Sequence, residues 1–272
     1  MKEFQKIIKY AAIAFGLYLA VMIIGMIITV ILAICTGIYG VQVITEQSNV
    51  ERIDEVEEYI DISKIDIDVT NVNLTIKSEG EKFEVETFQI PVDTKIENER
   101  GTLKIKNNKK FMNDSDSTII IYIPQNVQLQ ECDIEIGAGE LNIEKLNSKK
   151  VDFNFGAGKV NINELITEKS EIECGAGQVT ISNSDLTNSK IETGVGKLIY
   201  SGYIRGNSQL ECGIGETELN LQGGKEIYKI RTEKGIGTIK INNETITNGT
   251  TTGNGENIIN VESGIGKITI NM

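Results

Sequence analysis

The chain has 272 residues, a net charge of −12, and neither histidine nor tryptophan. Without histidine, histidine-based triads, histidine metal sites and imidazole general bases are excluded. Residues 1–45 carry +2, from three lysines and one glutamate, so the remainder carries −14. That acidic balance, with no basic stripe, argues against nucleic acid as a partner.

In chain order, residues 1–10 hold Lys2, Lys6 and Lys9. Residues 11–34 are uncharged and almost wholly apolar, and the apolar character continues to Val43. Such a run is long enough to span a bilayer as a helix and longer than the apolar core of a signal peptide. Residues 11–43 are therefore expected to be a transmembrane helix. A lipoprotein signal would need a small residue before Cys35, and Ile34 stands there. Glu46, Glu51, Asp54, Glu55, Glu57 and Glu58 follow the helix. The positive-inside rule then leaves residues 1–10 in the cytoplasm and the rest outside the cell, with the membrane as the first partner. Residues 44–60 read as a short acidic linker that could be helical.

From about residue 61 onward the sequence repeats. Seven Gly-x-Gly motifs are formed by Gly137 and Gly139, Gly156 and Gly158, Gly175 and Gly177, Gly194 and Gly196, Gly213 and Gly215, Gly235 and Gly237, and Gly264 and Gly266. The steps between them are 19, 19, 19, 19, 22 and 29 residues. Apolar residues alternate on both sides, as in Ile172-Glu173-Cys174 and Val179-Thr180-Ile181, which is the period of a half-buried strand. The phase slips by one residue at the second glycine, where a bend needs an unobstructed backbone. A fixed period near 20 with strand patterning predicts an all-β fold, a single-stranded parallel β-helix of about 19–20 residues per coil.

Residues 67–76 align without a gap onto residues 172–181, with Thr70-Asn71-Val72 replacing the glycine motif. Residues 83–90, 103–105 and 119–123 read as further strands. The solenoid domain is thus expected over residues 61–272, with roughly ten coils and a length on the order of 50 Å.

The motifs are not nucleotide loops, since none has a third glycine and each leads into a strand. They lack the recurring Asp of calcium-binding nonapeptides. No cofactor, catalytic residue or metal site is implied. One polar feature is regular: Glu135, Glu173, Glu192, Glu211 and Glu262 stand two residues before the first glycine, with Asn154 at the same place and Glu233 expected to join by a shifted register. Alternation points them outward, and like charges at strand spacing repel. The row reads either as a solvated face, relieved by Lys159, Lys197 and Lys267 at the bends, or as a strip for cations or a cationic ligand. A paired-carboxylate glycosidase fits poorly, because an even ladder offers neither a cleft nor two contrasting carboxyl environments.

Cys174 and Cys212 are expected at equivalent places two coils apart, too far for a disulfide. Cys132 sits elsewhere in the coil. Residues 222–228 and 242–257 break the period, and solenoid insertions often line a binding face. The repeat departs from its usual form at Lys234. The final strand, Ile268-Thr269-Ile270, has only Asn271 and Met272 after it, so the C-terminal end is expected to be open and available for a homodimer.

An N-terminal membrane helix, the degenerate coil at residues 67–76, the segment Ile119-Ile120-Ile121-Tyr122-Ile123-Pro124 and the repeated Glu-x-Gly-x-Gly coils together resemble a bacterial β-strand-repeat family whose members are provisionally labelled adhesins. The resemblance implies a β-helix at the envelope of a Gram-positive-type bacterium and brings no catalytic residues. Some relatives are associated with envelope-stress responses to cationic antimicrobial peptides. The expected role is binding or scaffolding without catalysis, toward a cell-wall polymer, a cationic peptide or a protein. The alternatives are an envelope-stress regulatory component and a β-helix carbohydrate enzyme.

Overall fold

The computed structural model describes residues 52–107 and 117–272. The expected membrane helix lies outside the described residues. Among the described residues, no helix is long and apolar enough to cross a membrane.

All regular structure there is β, in one continuous sheet. The N-terminal strands are β1 (Arg52–Tyr59), β2 (Lys64–Val69), β3 (Val72–Ser78), β4 (Phe83–Pro91), β5 (Lys95–Glu99), β6 (Thr102–Lys106) and β7 (Thr118–Ile123). The repeats follow as β8 (Leu129–Ile143), β9 (Leu146–Ile162), β10 (Leu165–Thr187), β11 (Ser189–Arg205), β12 (Asn207–Leu221) and β13 (Tyr228–Ile241). Two short strands, β14 (Glu244–Ile246) and β15 (Thr251–Thr252), precede the last, β16 (Asn257–Asn271).

The repeats stack in parallel and in register. Ile134 pairs with Phe153, Phe153 with Ile172, Ile172 with Ile191, and Ile191 with Leu210. Inward residues therefore form columns. Leu141, Val160, Val179 and Leu198 make one; Ile143, Ile162, Ile181 and Tyr200 make another; all are buried. Burying each such aliphatic side chain contributes roughly 1.5–3 kcal/mol. The Tyr200 hydroxyl, fully enclosed, donates to the backbone oxygens of Tyr203 at 2.6 Å and Ser184 at 3.1 Å. That satisfies the one polar atom it brings into the core.

The order of the layers departs from the chain order at both ends. The degenerate coil, β2 with β3, lies against β8, with Ile67 beside Ile134 and Leu74 beside Leu141. Its far side is covered by β6 and β7, which come later in the sequence. At the other end β16 lies between β12 and β13. Among the described residues the stack is thus nine layers: β6 with β7, β2 with β3, then β8, β9, β10, β11, β12, β16 and β13. Eight steps of strand spacing give a height of about 38 Å, shorter than the sequence suggests.

The difference arises because residues 83–90 do not form a coil. β4 pairs antiparallel with β7 and with β1, and β5 pairs antiparallel with β6, so these strands close one end of the stack. The acidic stretch expected as a linker contributes β1, where Val85 and Phe83 on β4 face the core. The register around Lys234 continues without a slip: Thr232, Glu233 and Lys234 pair with Val261, Glu262 and Ser263. The expected open C-terminal strand is corrected as well. Ile268 and Ile270 are fully buried, with β12 on one side and β13 on the other.

Within each repeat strand the chain bends at the Gly-x-Gly motif. The second glycine has φ between 139° and 155° in all seven motifs. At Gly177, with φ 144°, a Cβ would stand 1.9 Å from the carbonyl oxygen of Gly158 in the adjacent layer. Both the dihedral and the close approach demand glycine. The degenerate coil makes its bend one residue earlier, with Asn71 at φ 55°, a conformation asparagine tolerates.

Candidate functional site

Register places the predicted carboxylates in one outward row. Asp68, Glu135, Asn154, Glu173, Glu192, Glu211, Glu262 and Glu233 are neighbours on successive layers. A second acidic row runs beside it, two residues earlier in each strand: Asp66, Asp133, Asp152 and Glu171. The sequence reading missed this second row, though the alternation that points Glu173 outward does the same for Glu171.

The first row is not neutralised where the sequence suggests, and in the second Asp66 pairs with Lys106 at 3.5 Å. Lys159 pairs with Glu140 at 3.7 Å and Lys197 with Glu216 at 3.6 Å, both on the far side of the bend. The ladder is instead met by Lys190, which reaches Glu192 at 2.9 Å, Glu171 at 3.3 Å and Glu173 at 3.6 Å. Its ammonium is held charged above its ordinary range, first by the hydrogen bond to Glu192 and then by that to Glu171. Lys190 sits in the second row, beside Glu171, where the repeat exchanges an acid for a base.

Beyond Lys190 no ion pair among the described residues meets the row. No described lysine or arginine pairs with Glu211, Glu262 or Glu233; Glu211 accepts a hydrogen bond from Gln209 Nε2. Partial burial, then the charges of Glu211 and Glu233, raise the Glu262 carboxyl above its usual range. Asp133 is raised in the same way, by burial first and then by Asp152 and Asp66. Among the described residues, no group of three or more Cys, Asp or Glu is arranged to hold a metal ion.

Between the row and the bend runs a shallow groove floored by the first glycines. One stretch of it, about 320 Å³, is lined by Glu211, Glu233, Glu262, Lys234, Ser263 and Asn248. Asn248 comes from the second period-breaking insertion, which folds back over β13. An apolar row lies one residue beyond the first glycines, at the bend itself. The middle residues of the motifs stack as Ala138, Ala157, Ala176, Val195, Ile214, Ile265 and Ile236. The last four are about half exposed or more, and Ile236 reaches 71 %. The change from Ala to Ile along the chain is visible in the sequence, but its exposure follows only from the bend.

The cysteines are interior. Cys174, Thr193 and Cys212 pair in successive layers, and Cys132, Cys174 and Cys212 are free and buried. Burial pushes the Cys132 and Cys174 thiols up, away from the reactive thiolate.

Fold and surface together define an all-β, solenoid-like repeat protein with open, ordered side-chain rows and no enclosed cleft at the carboxylates. The chain belongs to the Toastrack DUF4097 family, whose model matches residues 62–269. No curated protein matches it. Among solved structures it is similar to a provisionally named cell adhesion protein of Clostridium sporogenes, at 17 % identity over 81 % of this chain and 99 % of that one, with TM-score 0.35. It is also similar to a provisionally named adhesin of Bacteroides fragilis, at 13 % identity over 81 % and 97 %, with TM-score 0.44. A provisionally named lipid-binding protein of Parabacteroides distasonis is 16 % identical over 80 % and 96 %, with TM-score 0.41.

Proposed function

We propose that this protein is a membrane-anchored β-solenoid held outside the cell, and that it acts by binding or scaffolding rather than by catalysis. The observation that carries the reading is the in-register outward row of carboxylates beside an exposed aliphatic row, both on an open face. Catalytic carboxylates work in contrasting, partly enclosed environments. A repeated row instead offers one chemistry many times along a line, which suits a linear or repeating partner. The anchor follows from residues 11–34, and the orientation from Lys2, Lys6 and Lys9 before them and the acidic residues after. A cell-wall polymer, a cationic peptide or a protein fits such a surface.

Two experiments test this. Protease added to intact, wall-stripped cells should remove the bulk of the chain, and full protection of the C-terminal region would overturn the orientation. The full-length protein in non-ionic detergent should retain a ligand from a panel of cell-wall polymers, lipids, cationic peptides and divalent ions. Retention of none of them removes the binding role.

A further inference from the structure

The β13 end of the stack leaves a short edge uncovered. On the outer side of β13, β15 pairs with Ile230 and Arg231, and β14 pairs with residues 239–241. Between them, Thr232 and Lys234 donate their N–H groups to the Thr250 carbonyl oxygen and to Asn248 Oδ1. Residues 235–238 are exposed, and no described strand lies against their outer side. In the layer below, the corresponding residues of β16 are covered by β13, with Gly237 on Gly266 and Thr238 on Lys267.

Three features surround this edge. Ile236 ends the exposed aliphatic row, next to Ile265 and Ile214. Glu233 ends the acidic row, next to Glu262 and Glu211; in the groove these three carboxylates face a single cation, Lys234. The Ser263 hydroxyl lines the same groove, is in a residue only 6 % exposed, and has no hydrogen-bond partner.

We propose that the β13 edge is a docking site for an extended segment of another polypeptide, bearing a lysine or arginine and, three residues later, an aliphatic residue followed by glycine. This rests on the binding reading above and names the partner class. The uncovered stretch at residues 235–238 offers main-chain hydrogen bonds to an added strand, and the side-chain rows beside it select the sequence. The lysine or arginine precedes the paired stretch, because Thr232 and Lys234 already bond residues 248–250, and it reaches Glu233 and Glu262 by its side chain alone; the aliphatic residue continues the row from Ile236. Glycine is required because each second glycine in the stack approaches the carbonyl of its neighbouring layer: at Gly237 a Cβ would lie 1.6 Å from the Gly266 oxygen. A segment added on β13 in the same register meets Gly237 in the same way. A second copy of this chain in that register is disfavoured, because it would add further glutamates to a stretch where Glu211, Glu262 and Glu233 already face one lysine.

The test uses the full-length protein in non-ionic detergent and a fluorescein-labelled, end-blocked peptide, Thr-Lys-Ser-Gly-Ile-Gly-Thr, read by fluorescence anisotropy. Two control peptides carry Glu in place of Lys, or Val in place of the second Gly. The Lys peptide should bind about 10-fold more tightly than either control, and more weakly as salt rises. The double variant Glu233→Gln, Glu262→Gln should lose several-fold affinity and most of the salt dependence. Ile236→Lys, at an exposed position, should abolish binding while the circular dichroism spectrum and melting temperature stay as in the parent. Equal affinity for the Lys and Glu peptides, no binding at millimolar peptide, or a homodimer that Ile236→Lys splits would each overturn the proposal. If the peptides fail while another ligand of the panel binds and is indifferent to Ile236→Lys, only this inference falls. If the panel also fails, the binding role falls with it.

Discussion

Asn271 donates through Nδ2 to Asn220 Oδ1 at 2.7 Å, across 51 residues of chain. This bond marks the C-terminal strand as an interior layer, laid on β12, with the earlier β13 outside it. The chain thus completes its stack by inserting its last repeat beneath the one before. Asn242 joins the two outer layers, donating its backbone N–H to Ile270 O at 2.8 Å and accepting from the Met272 N–H at 3.0 Å.

Because β16 is interior, Ile268→Ala should cost about 2–5 kcal/mol, the range for a buried aliphatic truncation. Ile236→Ser, in the same repeat pattern but 71 % exposed, should change stability by less than about 0.5 kcal/mol. Denaturant unfolding of the two variants measures both. Similar, small effects would mean that β16 sits at the end of the stack.

Two glycines separate dihedral strain from close approach. Gly80 has φ 82°, and a Cβ placed there would meet nothing within 4 Å, so Gly80→Ala should cost about 1–2 kcal/mol, the left-handed penalty alone. Gly177→Ala adds a collision with the Gly158 carbonyl and should cost about 3 kcal/mol or more. Val at Gln178, one residue on, should be nearly silent. Equal costs at Gly80 and Gly177 in urea melts would refute the tight layer contact.

The Glu262 carboxyl is raised in the folded protein by burial and by Glu211 and Glu233, so the folded state binds that proton more tightly than the unfolded chain. Its contribution to stability is therefore lost as pH rises from the ordinary carboxylate range through the raised value. Glu262→Gln should stabilise the protein at pH 7 by a few tenths of a kcal/mol for each like-charge neighbour removed. The gain should shrink as the pH falls through that raised value and the parent takes up the proton. Thermal melts across that range, with a gain that does not depend on pH, would contradict the assignment.

Lys190 bridges three carboxylates on adjacent layers. Lys190→Met should lower the melting temperature at low salt, and the loss should shrink in 1 M salt, where screening acts over about 3 Å. A loss unchanged by salt would show that the aliphatic stem, rather than the charge, is what matters.

Much of this architecture is written in the sequence. Alternation around Glu173 and Val179 specifies strands, the 19-residue step specifies parallel register, and the phase slip locates the bend at Gly177. Each is a local signal, repeated often enough to be read. The outward direction of Glu135, Glu173, Glu192, Glu211 and Glu262 follows from the same alternation.

Layer order was decided only in three dimensions. Residues 67–76 and 257–271 each satisfy the repeat pattern, and any coil can stack on any other, since all present the same inward columns. What selects their neighbours is the antiparallel pairing of β4 and β5 at one end and of β14 and β15 at the other, contacts between segments distant in sequence. The partners of the acidic row were decided there too. Lys190 lies two residues before Glu192 and only stacking brings it to Glu171 and Glu173, while Lys159 and Lys197 are turned away by the bend. The exposure of Ile214, Ile236 and Ile265 has the same origin: the sequence marks them as apolar, and the positive φ of the following glycine turns them to the outside.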